Sequence, residues 1–178
     1  ARVTLGDNSS EASFSVVKDP RSFASDTEIE NWVKTLADMK ALLTEALQTL
    51  NEARQARTQI QYLMSKHDNE QLHSLGKQAI KGINGWEEKI TQLKHETYED
   101  EDAWATMLDG QLRFLMDTID RSGAPVTEGM RSRQVDLTEA WSQLQDELQV
   151  ITDSYINPIN SWANERREPH VVRPAEGG

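Results

Sequence analysis

The sequence predicts a mainly α protein, an antiparallel up-and-down bundle of about four helices preceded by a β-hairpin. Two observations predict this class. The first twenty or so residues are rich in β-branched and turn-forming residues, whereas the later sequence repeats its apolar residues at steps of three and four. Because no such helix can bury its apolar stripe alone, four of them are expected to share one core.

We divide the chain into residues 1–21, the hairpin, residues 22–168, the helical bundle, and residues 169–178, an extended C-terminal tail. The hairpin strands are predicted at residues 2–5 and 13–17, with turn-forming residues between them. An isolated hairpin is marginal in water, so this one is predicted to be the end of a β-sandwich-like domain.

The first helix is predicted to begin at Ser25 or Asp26 and to continue for about 40 residues, since no Pro or Gly interrupts the sequence before His67. Arg54 and Arg57 lie on the polar flank of its apolar stripe. The stripe consists of Ile29, Trp32, Leu36, Met39, Leu43, Leu47, Leu50, Ala53, Ile60 and Leu63.

The second helix is predicted to begin near Asp68 or Asn69. Its apolar positions are Leu72, Gly76, Ala79, Ile83, Trp86, Ile90 and Leu93. Gly76, Gly82 and Gly85 lower its helix propensity, and they indicate either close approach of a neighbouring helix or a merely soft helix.

Five acids follow within residues 96–102. A calcium loop is one interpretation, but the alternating oxygen ligands and central glycine of an EF-hand are missing. The other is a connection whose acids stabilise the N-terminus of the third helix. That helix has Trp104, Met107, Leu108, Leu112, Leu115 and Ile119 on its apolar face, and it is predicted to end before Gly123 and Pro125.

The fourth helix is predicted to begin at Thr127 and Glu128. Its apolar positions are Leu137, Trp141, Leu144, Leu148, Ile151, Tyr155 and Trp162. Pro158 falls inside this pattern and predicts a kink or break near Asn157. Beyond Arg166 the periodicity is lost.

The amino-acid composition argues against several classes of function. The chain has 178 residues with 19 Lys and Arg against 30 Asp and Glu, a net charge of −11, and no cysteine. This charge argues against sequence-independent binding to nucleic acid or anionic membrane, and the missing cysteines exclude disulfides and a Cys nucleophile. No apolar run is long enough to span a membrane. Ala1 is not a start methionine, so we expect a processed or excised piece.

No catalytic, cofactor-binding or metal-binding residue is assigned, and no cofactor is expected. Glu70 and His73 have the spacing of half a di-iron site, but His67, His95 and His170 supply no second half, and His73 is predicted to face solvent. Phosphate-binding glycine loops and nucleophile elbows are missing. The residues therefore favour a non-catalytic module.

The tryptophans and one short motif each allow more than one interpretation. The five tryptophans lie on or beside the apolar stripes, which favours core packing over a stacking platform for sugar or for nucleic-acid single strands; they are Trp32, Trp86, Trp104, Trp141 and Trp162. Residues 8–10 match a glycosylation sequon, relevant only in a secreted eukaryotic setting. The helices lack the basic polar faces that bind lipid surfaces.

Several short motifs carry a resemblance to a known family. They are residues 14–21, 111–115 and 123–127, Asn160, and residues 169–172. Together they resemble the C-terminal end of bacterial sortilin-type (BNR-repeat) β-propeller proteins, often labelled as glycosyl-hydrolase-like. The family usually has adjacent Pro-Thr where this chain has Pro125-Val126-Thr127, a small departure.

The resemblance implies the C-terminal portion of a larger secreted, periplasmic or cell-surface protein, whose β-sandwich the hairpin completes. No propeller active-site residue falls on these positions. We therefore expect a non-catalytic interaction or structural module that docks to the rest of its own polypeptide or self-associates, with no nucleic acid and no membrane insertion. The alternatives are an accessory part of a glycan-processing enzyme, contributing to substrate binding, and an acidic helical scaffold.

Overall fold

A computed structural model describes residues 1–97, 99–100 and 103–171. Two antiparallel strands, β1 and β2, precede five helices, and a π-helical turn at Thr152–Ile156 joins the last two into one rod. The bounds are β1 (Arg2–Leu5), β2 (Asn8–Glu11), α1 (Asp26–Lys66), α2 (Glu70–Ile90), α3 (Leu108–Ser122), α4 (Glu128–Ile151) and α5 (Asn157–Glu165). The predicted class, a helical bundle of about four helices preceded by a hairpin, is confirmed.

The helix starts follow from local capping. Ser25 and Glu28 form a capping box, in which the Ser25 hydroxyl accepts the Glu28 N–H and the Glu28 carboxylate accepts the Ser25 N–H. Asn69 caps α2 by accepting the Leu72 N–H, and Thr127 caps α4 in the same way. The uninterrupted first helix is confirmed with 41 residues.

Helices α2 and α3 lie one after the other along α1, and both run antiparallel to it. Near one end the Trp32 indole N–H donates to the carbonyl of Ile119, 2.8 Å away, and further along Arg54 reaches Glu87. Helix α4 runs antiparallel to α2, as the bond from the Trp86 indole to the Leu144 carbonyl and the contact of Gly82 with Ile151 show. The connection at residues 91–107 therefore leaves the bundle partway along its length.

The glycines of α2 differ in their surroundings. A Cβ at Gly76 would overlap the Met64 thioether and lie 3.2 Å from Ile60 Cγ2, and one at Gly82 would lie 3.1 Å from Ile151 Cγ1. At Gly85 nothing lies within 4 Å of that position. Close helix approach thus explains Gly76 and Gly82 but not Gly85.

We expect Gly85→Ala to raise the free energy of unfolding by about 0.5–1 kcal/mol, because alanine restricts the unfolded chain and fits the open position. Gly76→Ala should raise the free energy of unfolding by less than Gly85→Ala does, or lower it, because the Met64 side chain must move. Urea unfolding of both variants measures the difference. Equal stabilisation by the two substitutions would show that α1 and α2 are not closely packed at Gly76.

The predicted second strand at residues 13–17 is wrong. The chain reverses earlier, because Gly6, at a φ of 57°, and Asp7 form a two-residue turn that pairs Leu5 with Asn8 and Arg2 with Glu11. Glycine at positive φ in the first central position is the requirement of a type II′ hairpin turn. Residues 13–17 instead form an exposed segment outside the sheet.

Two predicted core positions, Leu93 and Trp104, also lie elsewhere. Because α2 ends at Ile90 and α3 begins at Leu108, both fall in the connection, with exposures of 52% and 43%. A hydrogen bond joins the two ends of this connection: the Gln92 side-chain amide donates to the Ala105 carbonyl.

The acidic stretch in this connection stabilises its own turn. The Asp100 carboxylate accepts the N–H groups of Glu96 and Thr97, and these bonds lower the pKa of Asp100 below its usual value. None of the described acids of residues 96–102 caps α3, whose N-cap, Met107, has no side-chain bond. The expectation that they stabilise the start of α3 is therefore wrong for these residues; Tyr98, Glu101 and Asp102 lie outside the described residues.

Near Asn157, where a kink or break is predicted, the helix contains a π-helical turn that ends two residues before Pro158. Proline lacks the N–H that a continuous α-helix requires, and a wider turn accommodates its loss. The chain then returns along α5, where Asn160 accepts the Val171 N–H at 2.7 Å and donates to its carbonyl. Val171 is buried, and residues 172–178 lie outside the described part.

Candidate interaction surface

The N-terminal segment, residues 1–23, exposes an unusual share of its large apolar side chains. Every residue from 1 to 21 is exposed. The exposed apolar side chains range from 71% at Phe14 to full exposure at Phe23, and they are Val3, Leu5, Phe14, Val16, Val17 and Phe23. Single exposed apolar residues are ordinary, but six of them within 23 residues are more than a surface without a partner usually carries, which indicates an interaction surface.

The hairpin has one apolar face. Val3 and Leu5 project from the same side of β1, because side chains two residues apart in a strand share a face. Their cross-strand partners on that face are Ser10 and Asn8, the last and first residues of the sequon. At the open end of the hairpin Arg2 pairs with Glu11.

Within the described part of the chain, no helix packs against this hairpin. Among the described residues, β1 and β2 contact each other, and neither contacts a helix. The segment behind it approaches the start of α1, where Lys18 donates to the Ala24 carbonyl and a cavity of about 560 Å³ separates residues 16–22 from Trp32. The apolar face of the hairpin is therefore uncovered.

The tryptophans mostly pack inside the bundle. Trp86, Trp141 and Trp162 are buried, and Trp32 is partly buried with its indole N–H bonded to α3. Core packing is confirmed for these four. It is wrong for Trp104, whose ring is partly exposed in the 91–107 connection, with the Lys94 ammonium 4.4 Å from its centroid.

A buried acid of α2, Glu87, pairs with two partly exposed arginines of α1, an arrangement that the sequence did not predict. Glu87 is only 3% exposed, and its carboxylate accepts from Arg54 Nε and Arg57 Nη1, each at 2.6 Å. Burial raises the pKa of Glu87, but hydrogen bonds and charges from the two arginines outweigh it and hold the pKa below its ordinary value. The available signal was the position of Glu87, four residues after Ile83 on the buried stripe.

The histidines do not assemble a metal centre in the described part of the chain. His73, predicted to face solvent, is partly buried, and its Nε2 donates to the His67 carbonyl at 2.9 Å, so that prediction is wrong. No group of three or more His, Asp or Glu side chains among the described residues is placed to hold a metal ion. His67 instead packs edge-on against Trp162 and pairs with Glu168.

Comparison with protein-family models, with curated proteins and with solved structures found no match. The resemblance to sortilin-type propeller proteins therefore stays a prediction from the motifs. None of the helices in the described residues combines the length and apolarity needed to cross a membrane.

Proposed function

We propose that this chain is a non-catalytic interaction module that docks through residues 1–23 onto β-structure in the remainder of its own polypeptide. The observation that carries the proposal is the uncovered apolar face of a hairpin that no helix supports. Two strands alone are marginally stable in water, so burial of Val3 and Leu5 against further strands would stabilise them.

The helical part does not need the hairpin for its own core. The contiguous apolar core of the described residues runs from Met39 to Val171 and includes none of the first 23 residues. The N-terminal segment is thus free to serve a partner surface. Its expected location, from the motif resemblance, is a secreted, periplasmic or cell-surface protein.

The test replaces four apolar side chains of the segment by serine: Val3, Leu5, Phe14 and Val16. The variant should keep the unfolding free energy of the wild-type helices within about 0.5 kcal/mol, because these positions contact no helix core. It should lose binding to the polypeptide encoded immediately upstream of Ala1, produced separately and mixed with the full chain. Light scattering after size-exclusion chromatography measures the complex.

The matched control replaces Thr4 and Ser15, polar residues of the same segment, by alanine and should keep the complex. Concentration-dependent self-association abolished by the four serines would support the same module with a second copy as partner. A chain that stays monomeric and does not bind the upstream polypeptide would contradict the proposal.

Participation in a glycan-processing enzyme ranks second. Trp104 is the tryptophan with substantial exposure, which a sugar-stacking surface requires. The Lys94 ammonium over its ring occupies one face, and three other tryptophans are buried, so a platform of several rings is not formed. Saturable quenching of Trp emission by an oligosaccharide, lost in Trp104→Ala, would favour this function.

A further inference from the structure

A cavity of about 780 Å³ lies where α2 ends and α3 begins, away from the N-terminal segment. Its walls come from residues 91–95 and 106–107 at the two ends of the connection, the first turns of α3 and Arg133 of α4. Cavities of roughly 300–1,000 Å³ are the size that proteins use for small molecules.

The connection forms the cavity because it leaves the bundle and returns tightly onto α3. A Cβ at Gly110 would lie 2.6 Å from Thr106 Cγ2, so the missing side chain lets the last residues of the connection lie directly against the first turn of α3. Connections longer than about 12–15 residues are uncommon inside compact domains and are often binding loops.

The cavity wall carries more basic than acidic side chains, although the whole chain is strongly negative. Two arginines, Arg113 and Arg133, line the cavity together with one acid, Asp109, in a protein of net charge −11. Arg133 donates to the Gln111 side chain and lies 3.6 Å from Asp136. Arg113 has no hydrogen bond or ion pair with another residue of the described part, so its guanidinium donors remain available.

The remaining wall offers an apolar contact. Phe114, next to Arg113 on α3, lines the cavity with its side chain 73% exposed, and Met107 is a second apolar neighbour. A planar guanidinium matches a carboxylate through paired N–H donors, and an aromatic ring favours a flat apolar group. Asp109 in the wall and Asp136, 3.6 Å from Arg133, offset part of the positive charge of the two arginines, so the site suits a single negative charge better than a phosphate dianion.

We propose that this cavity binds a small organic carboxylate that carries a flat apolar group. Arg113 and Arg133 hold the carboxylate, and Phe114 contacts the apolar part. The site is separate from residues 1–23, and it stands or falls independently of the docking function.

The test is a titration of the full ¹⁵N-labelled chain with benzoate, followed by amide chemical shifts. Benzamide, a neutral molecule of the same shape, and inorganic phosphate are titrated in parallel. Saturable shifts are expected with benzoate alone, confined to residues 91–95, 106–118 and 133. Arg113→Gln and Arg133→Gln should each weaken benzoate binding about ten-fold or more, because each removes charge-assisted hydrogen bonds.

The matched control is Arg121→Gln, which removes an exposed arginine of α3 that does not line the cavity and should leave benzoate affinity unchanged. The dispersion of the amide spectrum verifies that each variant is folded. Benzamide binding as tightly as benzoate, saturable shifts with phosphate alone, or no saturable shift with benzoate would each overturn the proposal. Unchanged benzoate affinity in Arg113→Gln would also overturn it, since that substitution breaks no described contact.

Discussion

Trp86→Ala is expected to lower the free energy of unfolding by about 3–5 kcal/mol. The side chain is 1% exposed and lies between α2 and α4, with its ring centroid 6.5 Å from that of Trp141. Alanine would leave a cavity between the two helices. It would also remove the hydrogen bond that the indole donates to the Leu144 carbonyl across the interface at 2.7 Å.

Urea unfolding followed by far-ultraviolet circular dichroism measures the loss. Trp104→Ala is the matched control, since that ring is 43% exposed and its cation–π contact with Lys94 contributes at most about 1 kcal/mol at such a position. Similar losses for Trp86→Ala and Trp104→Ala would contradict the assignment of Trp86 to the core and of Trp104 to the surface.

Glu87→Gln is expected to lower the free energy of unfolding by about 2–3 kcal/mol at neutral pH. Breaking a buried ion pair commonly costs about 3–5 kcal/mol. The cost here is smaller because the Arg54 and Arg57 side chains are 40% and 26% exposed and can regain water. Glu88→Gln, at the exposed neighbouring position, should change stability by less than about 0.5 kcal/mol.

The same substitution should change the pH dependence of stability. The folded-state pKa of Glu87 lies below its unfolded value, so this carboxylate stabilises the fold above the unfolded pKa, and the contribution is lost as pH falls through the folded pKa. The stability gap between wild type and Glu87→Gln should therefore narrow on acidification from neutral pH. A gap that stays constant down to the acid transition would show that Glu87 is not ionised in its pair with the arginines.

Much of the helical architecture was predictable, because capping residues and apolar periodicity act locally. Three residues cap helices at the predicted starts: Ser25, Asn69 and Thr127. The helix departs from regular α geometry just before Pro158. Periodicity fails at the helix ends. Leu93 continues the spacing of α2 but lies beyond the last helical residue, since a pattern of apolar residues does not indicate where backbone hydrogen bonding stops.

The candidate surface was predictable in part. A hairpin that ends a β-sandwich-like domain was expected. Its second strand was misplaced because a two-residue turn needs only Gly6 and Asp7, whereas the β-branched residues further along were weighted more heavily. The burial of Glu87 was not expected, because a charged residue is assigned to solvent unless its partner is known. Its partners, Arg54 and Arg57, are distant in sequence and meet it only after α1 and α2 pack.

The uninterrupted course of α1 also sets a distance. With 41 residues at about 1.5 Å per residue, this helix is ~60 Å long. The N-terminal segment lies before one end of it, whereas His67, at the other end, pairs with Glu168. The start of α1, which the N-terminal segment precedes, and the pairing of His67 with Glu168 therefore lie about one α1 length apart.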